Sequence, residues 1–335
     1  MIKGKAFSLL SGGLDSLLAT RLIMAQSIEV IGLHFITPFF GYSWKGREAE
    51  YKERCRSLYG IQARVLDVST DFFQVLKNPR YGYGKNFNPC IDCKIFLFSR
   101  AREILEQEKA DFLVTGEVLG QRPMSQRRDT LRVVERDSRT DGILLRPLCA
   151  KHLPPTRPEK EGLVDREKLL DLSGRSRKPQ MRMAQEMGIG EYPSPAGGCL
   201  LTDPVLAERI RKHFSESGQI TVPDVQLLLL GRHFQLAPSL RLVVGRRDEE
   251  NQRLLGLFQE GDILLQLKGI PGPLGLVRGP AGRGDLELAS SIIARYSKVR
   301  EKDAVEVQVG FGPREFSECL SVRPAREDRI APLRF

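Results

Sequence analysis

At 335 residues, with 41% hydrophobic and 28% charged content, the chain is long enough to bury two cores and too apolar to be disordered. No apolar run approaches the roughly 20 residues that cross a bilayer, and Met1-Ile2-Lys3-Gly4-Lys5 leads directly into a strand pattern, so the expectation is no membrane partner and a cytoplasmic location. Six Cys, only two of them closely paired, do not make a secreted disulfide framework, and a formal net charge of +10 points to a polyanionic partner.

The apolar run 6–10 is followed at once by Ser11-Gly12-Gly13-Leu14-Asp15-Ser16, then by Leu17, Leu18, Ala19, Leu22 and Ile23 at helical spacing. That order is strand, glycine turn, helix. Two adjacent glycines let backbone N–H groups close on an oxyanion, and the helix aims its positive dipole end at the same point, so the loop is expected to hold a phosphate. No Lys follows the glycines, which excludes a Walker A loop, and the spacing is not that of a dinucleotide fingerprint. A strand running into a helix capped by Asp15 or Ser16 is the ligand-free alternative.

Further strand patterns at 29–35, 63–68 and 112–115 alternate with helical patterns at 16–24, 48–59 and 93–108, a parallel α/β layout with its active loops at the carboxyl ends of the strands. Gly116 and Glu117 stand at one such end. Arg122, Arg127, Arg128, Arg132, Arg136 and Arg139 crowd one stretch, and Arg157, Arg166, Arg175, Arg177, Lys178 and Arg182 the next. Each alone fits a solvated face; beside a nucleotide loop the set favours RNA phosphates. Residues 151–160 read as a Pro-rich surface connection, followed by short helical patterns at 168–172 and 178–187. A second unit begins near Pro204, giving expected domains 1–204 and 205–335. Its helix 205–215, strands 239–244, 262–267, 274–278 and 304–309, and a helix 286–299 capped by Asp285 make a small α+β module.

Asn88-Pro89-Cys90-Ile91-Asp92-Cys93-Lys94 sets two thiols at a helix start, where the dipole and Lys94 are expected to lower thiol pKa values. Cys199 follows Ser194-Pro195-Ala196-Gly197-Gly198, a sequence that denies regular structure. Three cysteines with an open coordination position suit an iron-sulfur cluster that binds an extra sulfide. A cysteine persulfide or disulfide involving Cys199, and a zinc site completed by His152 or His34, are the alternatives. Cys55, Cys149 and Cys319 read as small packing residues, and Trp44 as a packing residue in the loop after the second strand.

The loop is similar to the pyrophosphate (PP) loop of enzymes that split ATP to AMP and pyrophosphate while adenylating a substrate. Thr115-Gly116-Glu117-Val118-Leu119-Gly120-Gln121 with Ser125-Gln126 resembles the second nucleotide motif of tRNA 4-thiouridine synthetases, and Cys-x-x-Cys plus a distal Cys resembles cluster-dependent tRNA thiolation enzymes. Arg177-Lys178-Pro179-Gln180-Met181-Arg182 resembles the segment before their last Cys. Gly231-Arg232, Lys268-Gly269-Ile270-Pro271-Gly272-Pro273 and Ala294-Arg295-Tyr296-Ser297-Lys298-Val299-Arg300 look like the small RNA-binding module of NFACT proteins.

These resemblances imply an α/β parallel-sheet PP-loop domain of the adenine nucleotide α-hydrolase type, then the smaller α+β domain. They imply that Ser11, Gly12, Gly13 and Ser16 grip pyrophosphate and that Asp15 places Mg²⁺. Leu33, His34, Phe35, Gly116 and Gln121 are the further expected ATP contacts. Cys90, Cys93 and Cys199 are expected to hold a 4Fe-4S cluster or carry a persulfide. Arg122, Arg127, Arg128, Arg177, Lys178, Arg232, Lys268, Arg295, Lys298 and Arg300 are the expected RNA contacts. The implied activity is ATP-dependent tRNA sulfur transfer forming a thiouridine, 4-thiouridine favoured, with sulfide or a desulfurase-derived persulfide as donor. A PP-loop ligase adenylating a small carboxylate and a noncatalytic RNA-binding adaptor are the competing readings.

Overall fold

The computed structural model describes residues 2–193, 199–313 and 315–335. They form two compact units, 1–203 and 204–335.

The first unit is a five-stranded parallel sheet wrapped on both faces by helices. Its elements are β1 (Lys5–Leu9), α1 (Leu14–Met24), β2 (Glu29–Ile36), α2 (Glu48–Tyr59), β3 (Gln62–Asp67), α3 (Ser69–Lys77), α4 (Cys90–Gln107), β4 (Phe112–Thr115), α5 (Arg128–Ser138), β5 (Leu144–Leu145), the single turn α6 (Arg157–Lys160) and α7 (Lys178–Glu186). The strands lie in the order β3-β2-β1-β4-β5, every neighbouring pair parallel. Alternation of side chains along each strand explains the two cores. Ala6, Val30, Phe112 and Val114 pack with Leu14, Leu17 and Leu18 of α1 on one face. Phe7, Ile31, Leu33, Phe35 and Leu113 pack with Phe98, Ala101 and Leu105 of α4 on the other. The chain runs outward one way from β1 to β2 and β3, and the other way to β4 and β5. Strand order therefore reverses between β1 and β4, which opens a crevice at their carboxyl ends.

The second unit holds α8 (Pro204–Ser217), α9 (Val222–Leu228), β6 (Arg232–Ala237), β7 (Leu240–Val244), α10 (Asp248–Gly256), β8 (Ile263–Leu267), β9 (Gly275–Arg278), α11 (Arg283–Arg295), β10 (Val305–Gly312) and β11 (Glu315–Val322). Its six strands form an antiparallel sheet ordered β11-β10-β8-β9-β7-β6. Phe234, Leu242, Leu265 and Val277 meet Ala289, Ile292 and Ile293 of α11 on one face; Val243, Leu264 and Leu276 meet Leu227 and Leu254 on the other. Helix α11 opens at Gly282, whose N–H donates to the Asp285 carboxylate at 2.9 Å, so Asp285 caps from inside the first turn. Among the described residues no helix is long and apolar enough to cross a membrane.

Candidate active site

Residues 11–13 leave β1 and turn into α1 at the crevice. Gly12 has φ +78°, a conformation that favours glycine, and a Cβ built there meets nothing within 4 Å, so the turn is open on its outer side. The Gly13 N–H donates to Ser11 Oγ at 3.3 Å, Ser11 Oγ lies 3.3 Å from Ser16 Oγ, and Ser16 Oγ donates to the Gly13 carbonyl at 2.7 Å. Gly13 occupies the N-cap position and no side chain caps it, so the capped-helix explanation of Asp15 and Ser16 does not account for the motif.

Gly116 explains why β4 can reach this loop. A Cβ at Gly116 would stand 2.4 Å from the Asp15 carbonyl carbon and the Ser16 nitrogen, backbone atoms that cannot swing away. With no Cβ, the end of β4 lies directly on the first turn of α1. Gln121, a few residues on, donates from Nε2 to Asp15 Oδ2 at 2.7 Å, and Gln180 at the start of α7 donates to Gln121 Oε1 at 3.2 Å. Arg177 also donates to Asp15 Oδ2, at 3.2 Å. Asp15 Oδ1, Arg177 Nε and Gln180 Oε1 are buried with no hydrogen-bond partner. Leaving such groups unpaired costs roughly 1–3 kcal/mol each, so three of them around one glycine loop mark a site built for a polar occupant. The free Asp15 oxygen suits a cation, and Mg²⁺ is the one the expected chemistry uses.

Glu117, 5% exposed, binds Lys94 and takes the Nε of Arg146, itself 2% exposed, at 2.8 Å. Arg146 also pairs with Glu135, and Lys94 Nζ donates to the Ser125 carbonyl at 3.0 Å. Burial pushes the Glu117 carboxyl up, but the Lys94 and Arg146 charges outweigh it and hold it below the ordinary Glu value. This network ties the cysteine helix to the phosphate loop: Lys94 follows Cys93, Glu117 follows Gly116, and Gly116 lies on Asp15.

Cys90 and Cys93 stand in the first turn of α4. Cys93 feels both Cys199 and Cys90, and Cys199 feels Cys90 and Arg122, so the three thiols lie within electrostatic reach of one another although Cys199 is more than a hundred residues away in sequence. For Cys93 and Cys199 the pKa shifts run against the expectation from the helix dipole and Lys94. Burial, then the facing cysteines, push the Cys93 thiol well up, and burial does the same to Cys199. Lys94 cannot reverse this because its charge is engaged by Glu117. Residues 194–198, expected to form the irregular approach to Cys199, lie outside the described residues. Among the described residues no three His, Cys, Asp or Glu side chains close on a single-ion site. The suggested fourth zinc ligands do not join the cysteines: His152 Nε2 lies 2.5 Å from the Asp171 carbonyl, His34 Nδ1 lies 2.8 Å from the Leu10 carbonyl with its ring stacked on Tyr51, and among the described residues neither belongs to a group of three potential metal ligands. Three thiols within mutual reach are the donor set that a cluster with one open position would use.

The remaining expected residues separate into groups. Leu33 and Phe35 turn into the core beneath α4, so a nucleotide at this strand end meets their backbone and not their side chains. His34 faces the other way; burial lowers its pKa, and its Nε2 has no partner. Arg122, Arg127, Arg128 and Lys178 are exposed, whereas Arg177 is held on Asp15 and not on the surface expected for RNA. In the second unit, Arg232 lies over the Tyr296 ring at 4.6 Å, Lys268 pairs with Glu306 at 2.8 Å, Arg295 sits 3.9 Å from Glu327, and Lys298 and Arg300 are exposed. Trp44 packs edge-on to Tyr51. Sequence reasoning gave no role to Gln180 or Arg146, and gave Lys94 only that of lowering the thiol pKa values, whereas the structure engages it with Glu117. Lys94 and Gln180 lie inside motifs that were singled out; nothing marks Arg146 before the fold places it.

Residues 1–152 match the family model described as Thiamine biosynthesis protein (ThiI), and residues 231–334 match the NFACT protein RNA binding domain. Both segments agree with the resemblance carried by the motifs. The tRNA sulfurtransferase of Azotobacter vinelandii is 35% identical over 147 residues, which cover 43% of this chain and 28% of that protein. The tRNA-specific 2-thiouridylase MnmA of Syntrophotalea carbinolica is 32% identical over 114 residues, covering 32% of each. The chain thus spans about a third or less of the length of these curated relatives. A crystal structure of a 4-thiouridine synthetase–RNA complex with bound ATP is similar at 22% identity and a TM-score of 0.39, covering 67% of this chain and 52% of that one.

Proposed function

We propose that this chain, in which a ThiI-matching region precedes an NFACT-type RNA-binding domain, is an ATP-dependent tRNA sulfurtransferase that makes 4-thiouridine. One observation supports the reading: Lys94, Glu117 and Gly116 link the start of the cysteine helix to the glycine loop, with Cys90 and Cys199 within electrostatic reach of Cys93.

On this reading the 11–16 loop binds the β- and γ-phosphates of ATP at the start of α1, with the adenine against the backbone at the end of β2. The uridine O4 attacks the α-phosphorus, the P–O bond to pyrophosphate breaks, and the loop amides and Ser16 stabilise the leaving charge. Asp15 is the residue that would hold Mg²⁺, Arg177 and Gln121 keeping its carboxylate in place. Sulfide then adds at C4, and AMP leaves carrying the former O4. A cluster held by Cys90, Cys93 and Cys199 would supply an open coordination position for that sulfide. The target base leaves its stack to reach the crevice, and the second unit holds the tRNA through Arg232, Lys268, Arg295, Lys298 and Arg300, with Arg122, Arg127, Arg128 and Lys178 as contacts on the first unit.

The test separates activation from sulfur transfer. Wild-type protein and Cys93→Ala are assayed anaerobically for tRNA-stimulated pyrophosphate release and, by nucleoside mass spectrometry, for 4-thiouridine. The expected result is that Cys93→Ala keeps tRNA-stimulated pyrophosphate release while 4-thiouridine disappears and iron content falls. Pyrophosphate release that answers to small carboxylic acids and not to tRNA would establish the ligase instead, and RNA binding with no turnover would establish the adaptor.

A further inference from the structure

A cavity of about 400 Å³ lies within the second unit, and arginines crowd it. Arg232 at the start of β6, Arg246 after β7, Arg295 at the end of α11, Arg300 just beyond and Arg334 near the C-terminus all line it, against the single carboxylate of Glu327. Five guanidinium groups facing one carboxylate leave a formal excess of four positive charges.

The fold brings them together by backbone pairing. Arg334 is held beside β6 by an antiparallel bridge to Phe234, and its guanidinium donates to Tyr296 Oη at 2.6 Å and to Glu327 at 2.8 Å. Arg232 stacks over the same Tyr296 ring. The C-terminal end of α11 carries a partial negative charge that accounts for one cation, Arg295, in its last turn. It does not account for four more. Arg246 and Arg300 face only carboxylates of their own neighbourhood, Glu250 at 4.0 Å and Glu301 at 3.3 Å, neither of which lines the cavity. Like charges gathered in a concavity repel one another unless an anion joins them.

The density of charge selects the ligand. An internal phosphodiester carries one negative charge, and a strand lying on a surface presents its phosphates singly. A terminal phosphomonoester carries about −1.5 to −2 at pH 7 and brings the neighbouring diester with it. Guanidinium forks match its oxygens in pairs. We propose that this cavity seats the 5′-terminal phosphate of an RNA strand. The proposal rests on the RNA-binding reading of the second unit and adds an end-specific site to it.

Fluorescence anisotropy on the full chain uses one single-stranded oligoribonucleotide in two forms, 5′-phosphorylated and 5′-hydroxyl, with adenosine 5′-monophosphate as competitor. The expected preference for the phosphorylated form is about tenfold, the scale of one charge-assisted contact set. Arg246→Gln and Arg300→Gln, both exposed and so safe for folding, each reduce that preference at unchanged thermal midpoint. Equal binding of the two RNAs by the wild type overturns the proposal while leaving RNA binding and sulfur transfer intact. Displacement of the phosphorylated RNA by low concentrations of adenosine 5′-monophosphate also overturns it, by making the cavity a free-nucleotide site. Failure to bind either RNA removes the RNA-binding reading itself.

Discussion

The two units use the same residue type in opposite ways. In the first, the key arginines are pinned: Arg146 lies buried between Glu117 and Glu135, and the partly buried Arg177 lies on Asp15. In the second, Arg246 and Arg300 stand at a cavity mouth with only distant or neighbouring carboxylates. Even the buried Arg209 of the second unit donates to the Leu228 and Gly231 carbonyls, a packing role. A pinned charge in a dry site acts at full strength on one reacting atom and needs no reorganisation. An exposed charge is screened, and it exchanges salt ions for phosphates. The first arrangement suits chemistry and the second suits holding a polyanion.

The largest effect that would break this contrast lies at Asp15. Asp15→Asn keeps the shape and the hydrogen bond from Gln121 but removes the charge that faces Arg177 and the free oxygen offered to a cation. Pyrophosphate release is expected to fall by about two orders of magnitude, the scale of losing one preorganised electrostatic group. Binding of the tRNA should stay within about twofold if the second unit carries it. Steady-state turnover and RNA anisotropy on the same preparation check both halves, and a parallel loss of RNA binding would erase the division of labour.

Glu117→Gln tests the pinned network through stability. Removing this charge leaves Lys94 and Arg146 facing each other across a buried site, and breaking a buried pair in this way costs about 3–5 kcal/mol. Urea titration should show that loss in the first unit's transition. Glu117 also sets a pH dependence. Its native pKa is held below its unfolded value of 4.5, so its contribution is complete above that value and is lost as the pH falls through the depressed native one. The wild type should therefore destabilise on acidification below about pH 4.5 more steeply than Glu117→Gln, whose curve lacks this component.

The parts of the fold that were legible in the sequence are those whose own residues suffice to specify them. Strand 112–115 is as read, the strand read at 29–35 runs one residue further to Ile36, and α2 has the same bounds in sequence and structure. Helix α1 begins earlier than its apolar spacing indicates, because Gly13 takes the N-cap position. Residues 168–172 read as helical but the backbone is paired elsewhere: the Leu170 and Leu172 N–H groups donate to the Pro147 and Leu148 carbonyls. β5 is only two residues long and exists because Leu113 and Val114 are there to pair with it. β11 is an edge strand, mostly exposed, so it shows little alternation to read. At the site, the loop and the cysteines announce themselves by residue type. The partnership of Arg177 with Asp15 does not, since it joins residues that only the packing of α7 near α1 brings together.

The smallest expected effect concerns α5, where charge counting alone misleads. Its Arg-rich stretch read as one RNA-binding set, yet within it Arg132 pairs with Asp141 and, at 3.6 Å, with Glu135, and Arg136 pairs with Asp137. An arginine already neutralised by a carboxylate releases no counterion when RNA arrives unless that pair breaks first. Arg132→Gln should then change stability by no more than about 0–1 kcal/mol, the worth of a surface pair, and leave the salt slope of RNA binding unchanged. A true phosphate contact lowers that slope by about one. Anisotropy across a series of salt concentrations distinguishes the two. A slope that falls in Arg132→Gln as it does in Lys298→Gln, at an exposed lysine of the second unit, would place RNA on α5 as well and would collapse the contrast between pinned and available charge.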